Sequence, residues 1–545
     1  MTQDHPQREL LPVHLRGLLS PDAYPHPVQT PELVETHVSW VLLTGAFAYK
    51  IKRPVQYPFI DLRSAERREF FCREELRLNQ RFAAELYLDV CEITCTDGEA
   101  RIGGTGPVIE HAVRMHQFRR EDELDRLLAS GRIEARELEA FGRSLAQIHA
   151  QLPMAAPAQP WGGSDRVRAL ILENLEQCIQ AGAPFGASDS LRALRPLLTQ
   201  RLECLTLSLA QRRAAGRVRE CHGDLHVRNV VRRAGRLLAF DCLEFDPAFR
   251  WIDVADEIAF LLADLDALRH PTHANAFLNG YLAEGGDYQA CRVVDLYKAH
   301  RALIRAKVTA LAGVGRGRNL DREEVRSQYA AYVGGAHAAL ASRQPLLVLM
   351  TGLSGSGKTW LARRLTPLLG AIHLRSDTER KRLATLPEIA HTASAIQQGL
   401  YAPEAKARVY EYLADCAEQV LGGGYPAIID ATFARREDRA RFRNLAARLG
   451  VRLRVIYCRA APEVLRARVT ERQARGSDAS EADLDVLRWQ EAHAEPVMAD
   501  EGLVALEVNT TDSEPAPSIN DLVKALYGCP ANPGQGFAGP HPDAG

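Results

Sequence analysis

Two stretches of this chain space charged and hydroxyl side chains as phosphate chemistry requires. GLSGSGKT, residues 352–359, follows the continuous apolar run LLVLMT and precedes a helical pattern. Strand, GxxxxGK[ST] and helix in that order let successive backbone N–H groups and a helix N-terminus point at phosphates, with glycines where side chains would collide. Gly352, Ser354, Gly355, Ser356 and Gly357 then form a cradle, Lys358 reaches the β- and γ-phosphates, and Thr359 holds Mg2+. Asp430 ends another apolar run, AIID, where a carboxylate would sit on the metal side of such a loop. A glycine-rich turn without chemistry is the competing reading, and the flanking strand and helix argue against it.

The second stretch is ECHGDLHVRNVV, residues 220–231. Its HxDxxxxN spacing suits a loop in which Asp224 accepts the proton of an attacking hydroxyl while Asn229 turns back to a metal ion. Asp241 ends the run LLAFD after a hairpin expected at Ala234 and Gly235, and supplies a second metal ligand. Upstream, a strand lysine paired to a helix glutamate is needed on the nucleotide phosphates. Lys50 and Lys52 lie on one side of a strand and both qualify. Lys50 is preferred because a small residue stands two before it. Glu75 is its expected partner, with Glu74 as the alternative. His149 is read as a core histidine and kept outside the site.

Back in the C-terminal third, RSDTERKRL follows the short apolar run AIHL. Asp377 lies where a small-molecule kinase needs an acceptor-side carboxylate, and Arg380 could hold the acceptor. Ser376 and Glu379 also spell a capping box, which would make the segment only a helix start. Arg468, Arg472 and Arg475 recur on one helical face, either as a lid over a triphosphate or as a solvated basic face.

GLSGSGKT, SDTER, IIDATF and these arginines resemble the P-loop kinase group that includes gluconate kinases, polynucleotide 5′-kinases and zeta-toxin-like kinases. The resemblance implies Asp377 as the acceptor-activating aspartate, Arg380 as an acceptor-binding arginine and Arg472 or Arg475 as the lid arginine. The stretch around Asp224 resembles the HGDxHxxN loop of the aminoglycoside phosphotransferase and choline kinase superfamily, which shares the protein-kinase fold. That implies Asp224 as catalytic base, Asn229 and Asp241 as magnesium ligands, and an orienting role for His222. The glycine-rich loop of protein kinases is reduced here to LLTGAFAYK.

These parts need positioning elements, and the chain is long enough to build them. Its 545 residues exceed one ordinary core, and 46% hydrophobic with 25% charged residues is a globular composition. A net charge of -1 provides no global field for nucleic acid or membrane. The 11 cysteines contain no CxxC pair, no apolar run approaches a membrane span, and no signal peptide opens the chain, so a cytoplasmic protein with reduced thiols is expected.

The expected fold is α/β and multidomain. A loose arm (residues 1–30) precedes a two-lobed, protein-kinase-like α+β domain (31–342). A P-loop α/β domain with a parallel sheet (343–527) and a disordered tail (528–545) follow. The expected activity is an ATP- and Mg2+-dependent, bifunctional phosphotransferase acting on hydroxyl-bearing small molecules. One half as a nucleotide-gated regulatory module, or a nucleic-acid-end kinase, are the alternatives; nucleic acid is not favoured, no membrane is expected, and the oligomeric state is open.

Overall fold

A computed structural model describes residues 10–57, 60–314, 322–386, 403–475, 482–512 and 515–528. The expected disordered tail therefore falls, from residue 529 on, outside the described residues. The chain divides into two compact units, Met1–Leu268 with His300–Gly335, and Arg269–Ala299 with Ala336–Gly545.

In the first unit, β1 (Glu32–Glu35), β2 (Ser39–Leu43) and β3 (Phe47–Lys52) lead through helix α1 (Ala65–Ala83) to β4 (Tyr87–Thr96), β5 (Glu99–Ile102) and β6 (Val108–His116). They form a six-stranded sheet in the order β1-β2-β3-β6-β4-β5, antiparallel at every pairing. The β2–β3 hairpin turns at Gly45, whose φ of +89° suits a residue without Cβ. Ser64 caps α1 by accepting the Arg67 N–H. The buried stripe of α1 runs through Phe71, Cys72, Glu75, Leu78, Asn79 and Phe82, so Glu75 faces the sheet.

A hairpin of β7 (Val230–Arg233) and β8 (Arg236–Ala239) turns at Ala234 and Gly235, both at positive φ. It carries Asn229 at one end and Asp241 shortly after the other. Helix α2 (Val254–Ala267) is buried along nearly its whole length and supports this hairpin region.

Residues 10–30 are not a loose arm. Leu11, Leu15 and Leu18, on and beside the 3-10 helix Val13–Leu19, are buried with Leu33, Trp40, Tyr49 and Ile102. A Cβ on Gly17 would stand 2.6 Å from the Ala100 nitrogen, so the segment lies directly on β5. The proline content that suggests an arm conceals an apolar face repeating every three to four residues.

The second unit is built on β9 (Leu346–Thr351), α3 (Lys358–Leu369), β10 (Ile372–Arg375), α4 (Ser376–Leu383), β11 (Ala427–Asp430), β12 (Arg452–Arg459), α5 (Pro462–Arg475), α6 (Leu484–His493) and β13 (Ala505–Asn509). Its five strands are all parallel, in the order β10-β11-β9-β12-β13. β9 is central and buried at every residue, which is why it reads as an unbroken apolar run.

Residues 269–299, which the sequence places ahead of the boundary, group with this unit. Asn279 pairs with the edge strand as another strand would, donating to the Ala371 carbonyl at 3.0 Å and accepting the His373 N–H at 2.8 Å. A Cβ on Gly423 would meet the Cys291 carbonyl oxygen at 2.2 Å, so only glycine permits the approach of these segments. Among the described residues no helix is long and apolar enough to cross a membrane.

Candidate functional sites

In the first unit the strand Val218–Glu220 delivers the chain into a loop with little freedom. Gly223 has φ +87°, and a Cβ there would lie 2.8 Å from the Phe249 carbonyl oxygen. Glu257 on α2 accepts the N–H groups of His222 (2.8 Å) and Gly223 (3.0 Å). Arg301 forks onto Asp256 at 2.7 and 2.9 Å and also donates to the Gly223 carbonyl at 3.4 Å. Asp224 is thus aimed by backbone anchored on both sides.

His222 donates from Nε2 to the Phe240 carbonyl at 2.9 Å, which leaves Nδ1 to accept the Asp224 N–H at 3.3 Å. Burial pushes the ring down to about 4, so it is neutral, as that bonding requires. Asn229 donates to Asp224 Oδ2 and to the Asp224 carbonyl, both at 3.0 Å. His226 Nε2 stands 3.5 Å from the same carboxylate oxygen. Burial raises the Asp224 carboxyl above its usual range, the direction a proton acceptor needs.

Lys50 Nζ donates to Glu75 Oε1 at 2.8 Å and to Asp241 Oδ1 at 2.5 Å. Burial alone would lower this ammonium, but the charges of Asp241 and Glu75 outweigh it and hold it well above the usual value. Burial likewise opposes ionisation of Asp241, and Lys50 reverses it, keeping that carboxyl below its usual range. Lys52 is fully buried between Glu75 Oε2, at 2.5 Å, and Glu244. Glu74 turns elsewhere, to Arg77 and Arg250. The geometry thus separates both pairs of candidates: Lys50 and Glu75 meet beside Asp241, while Lys52 lies behind them.

In the second unit Gly352, Gly355 and Gly357 carry φ values of +136°, +82° and +80°. Cβ atoms at Gly352 and Gly355 would strike the Cys458 and Leu465 carbonyl oxygens at 2.4 and 2.8 Å. The motif therefore needs its glycines for its own packing. Ser354 N–H is held by Gln490 of α6 at 2.8 Å, whereas Ser356 Oγ is buried and has no partner among the described residues. Lys358 Nζ curls back to the carbonyls of Gly352 (2.7 Å) and Leu353 (2.8 Å). Burial lowers it, against the opposing charges of Asp430 and Asp377.

Thr359 Oγ1 donates to Asp430 Oδ2 at 2.6 Å, and His373 Nε2 reaches the same oxygen at 3.3 Å. Burial pushes the Asp430 carboxyl up, but the His373 bond and the charges of Arg375 and Lys358 hold it far below its usual range. Asp377 accepts from Arg380 at 2.6 Å, so these two candidates form one unit. Burial raises Asp377 and the charges of Arg380 and Arg375 outweigh it, leaving it ionised.

The capping box does not form. Arg375 is the N-cap of α4, Ser376 lies inside the helix, and buried Glu379 binds Tyr288 Oη at 2.6 Å and Arg382 Nε at 2.8 Å. Nor do the three arginines act alike. Arg468 donates to the Thr510 carbonyl at 2.6 Å and to that of Gly355 at 3.3 Å, fastening α5 to the loop. Arg472 donates to Ala482 O at 2.8 Å and its charge is felt at Lys358. Arg475 ends α5, and its side chain lies outside the described residues, as do residues 476–481.

Sequence reasoning did not single out His226, Glu244, Glu257, Arg301, His373 or Gln490 for these sites. His226 alone had a local signal, two residues after Asp224. Among the described residues no three His, Cys, Asp or Glu side chains group as a metal site. Magnesium in phosphoryl transfer needs no such cage, since one or two protein ligands with phosphate oxygens and water suffice. Asp241 with Asn229, and Thr359 with Asp430, fit that requirement. The Asp241 side chain is only partly buried, 45% exposed, and Ser356 Oγ is an orphaned hydroxyl in the glycine-rich loop.

Comparison with known proteins matches residues 347–497 to a family model described as AAA domain. Uncharacterized proteins of Mycobacterium tuberculosis (strain H37Rv) and Mycobacterium bovis are 29% identical over 458 residues, 84% of this chain and 89% of theirs. A choline/ethanolamine kinase family protein from Mesorhizobium loti is similar to 58% of this chain over 89% of its own, at 11% identity and a TM-score of 0.34. A gluconokinase from Sinorhizobium meliloti is similar to 34% of this chain over 90% of its own, at 17% identity and a TM-score of 0.22. The chain joins an N-terminal unit built on a six-stranded antiparallel sheet to a unit with a five-stranded parallel sheet, whose residues 347–497 match the AAA domain model.

Proposed function

We propose that this chain is an ATP-dependent phosphotransferase with two kinase sites, each moving a γ-phosphoryl group to a hydroxyl of a small molecule. The observation that carries the reading is the first-unit cluster: Lys50 between Glu75 and Asp241, with Asp224 held by Asn229 and neutral His222 beside them. A lysine poised on carboxylates, next to an aspartate of raised proton affinity, is the equipment for in-line phosphoryl transfer.

Asp224 takes the acceptor proton as the hydroxyl oxygen attacks phosphorus, and the β–γ bridging oxygen leaves with the electron pair of the broken bond. Lys50 orients the nucleotide phosphates. In the second unit Lys358 and the loop amides bind the triphosphate, Asp377 receives the acceptor proton and Arg380 fixes its carboxylate. Magnesium, held by Asn229 and Asp241 or by Thr359 and Asp430, would neutralise charge on the transferred group.

The test is to incubate a metabolite extract with ATP and the intact chain, Lys358→Ala or Asp224→Asn, and compare phosphorylated products by mass spectrometry. Each substitution should abolish its own set of products. If one of them removes no product, that half is a nucleotide-gated regulatory module. If neither does, the small-molecule reading fails, and transfer to nucleic-acid ends becomes the reading to examine.

A further inference from the structure

Lys52 is a lysine that no ligand can reach. Its side chain is 0% exposed, on the same face of β3 as Lys50, and its two partners Glu75 and Glu244 are 0% and 3% exposed. A buried ammonium with two buried carboxylates is expensive to assemble and is retained where it fixes an arrangement. What it fixes is the segment from Asp241 to Glu244. Asp241 itself sits at φ +64°, where a residue with a Cβ is strained. Beyond it, the Cys242 N–H is held by Asn79 of α1 at 2.9 Å and the Leu243 N–H by the His222 carbonyl at 3.0 Å. Lys52 closes the frame by tying Glu244 to β3 and, through Glu75, to α1.

The geometry points to Lys52 and Glu244 as positioning residues that hold Asp241 toward the metal and leave Lys50 as the one ammonium able to move onto a phosphate. This inference rests on the kinase reading of the first unit. The carboxylate of Glu75 is shared, Oε1 with Lys50 and Oε2 with Lys52. When Lys50 turns to a phosphate, Glu75 keeps a cation in Lys52 and does not pull Lys50 back. Without Lys52, Glu75 and Glu244 would both draw on Lys50, and the tether of the Asp241 segment to β3 would be lost. Lys52 touches no ligand on this account, so its effect must appear through Asp241 and therefore through magnesium.

The experiment uses the full chain with Lys358→Ala as background, so that the fluorescent nucleotide TNP-ATP reports the first unit. Lys52→Met alone would strand buried Glu244 and leave Glu75 with Lys50 as its cation, so the test variant is Lys52→Met/Glu244→Gln, which removes one charge of each sign. It should melt near the background protein and bind TNP-ATP equally in EDTA, yet lose about ten- to a hundredfold of the magnesium-dependent affinity, the usual effect of removing a residue that orients a metal ligand. Background-like magnesium dependence in that variant would overturn the inference, as would an equal loss with and without magnesium. Lys50→Met distinguishes loss of the nucleotide site from loss of Asp241 positioning. It should weaken binding in both conditions. If it does not, or if the background binds no TNP-ATP, the kinase reading of this unit falls and the inference with it.

Discussion

Acidification from about pH 7.5 to about 5.5 should loosen the first unit by a calculable amount, because four of its histidines are buried as neutral rings. Burial pushes His222 down to about 4 and His149, His226 and His300 down to about 3. A folded value below the unfolded one, near 6.5, means the unfolded chain takes the proton first. Stability is then full above the unfolded value and is lost as pH falls toward the folded values. At about pH 5.5 an unfolded ring is roughly 90% protonated, and each refused proton costs between about 1 and 2 kcal/mol, or about 5 kcal/mol for the four.

Glu257 works in the opposite sense. Burial raises it to about 7, so its folded form gains a proton in this window that the unfolded carboxyl, near 4.5, does not. That returns about 2 kcal/mol, for a net loss of about 3 kcal/mol from a unit whose whole stability is expected at about 5–15 kcal/mol. Asp224, Asp256 and Glu244 are also raised and act in the same sense as Glu257, whereas His116, which burial lowers, acts in the sense of the four rings. The assay is amide hydrogen exchange over residues 218–233, corrected for intrinsic rates, with urea titration at each pH. Protection that is flat or rises on acidification would show that these rings are not held neutral by burial. His226→Gln should shrink the pH dependence by about 1 kcal/mol.

Three further outcomes are expected. Gly223→Ala places a Cβ 2.8 Å from Phe249 O at a positive φ, and should cost about 1–3 kcal/mol in urea titration while abolishing the products that depend on Asp224 and sparing those that depend on Lys358. Asp430→Asn removes the charge beside Thr359 and should sharply reduce the magnesium-dependent part of the thermal shift given by ATP in a Lys50→Met background, whereas Thr359→Ser should keep it; equal behaviour of the two would count against Asp430. Tyr288→Phe leaves one oxygen of buried Glu379 without its hydroxyl donor and should destabilise the second unit by about 1–3 kcal/mol; an unchanged urea midpoint would show that the Tyr288 bond contributes nothing.

Motifs whose parts are local in sequence were legible. The GLSGSGKT loop, the Asp224–Asn229 spacing and the hairpin at Ala234 and Gly235 each depend on neighbours within a few residues, and the backbone places them accordingly. Glu75 could have been separated from Glu74 by period alone. Phe71, Leu78 and Phe82 lie four before, three after and seven after it, so a charge there sits on the apolar stripe. The division of labour between Lys50 and Lys52 could not be read, because it depends on Glu244, far along the chain. Nor could the affiliation of Arg269–Ala299, since Asn279 acts on backbone groups and Tyr288 on one buried carboxylate, neither of which leaves a pattern in sequence. Arg468 shows the same limit: helical spacing gives its face, but not that the face meets carbonyl groups instead of a ligand.

The two lysines proposed to bind phosphate have different partners, and this sets how each site should respond to magnesium. Lys358 is bonded to two neutral carbonyls, so a triphosphate arriving at the loop displaces only dipoles and brings the stronger, charged partner. Lys50 is bonded to two carboxylates, one of which, Asp241, is itself the metal-side ligand of the proposal. Moving Lys50 onto a phosphate without magnesium would leave Asp241 facing the anionic phosphates uncompensated. With magnesium bound, the cation would take the place of Lys50 beside Asp241. Nucleotide and metal should therefore bind the first site with strong mutual dependence and the second with a weaker one, since Thr359 and Asp430 are bonded to each other and not to Lys358.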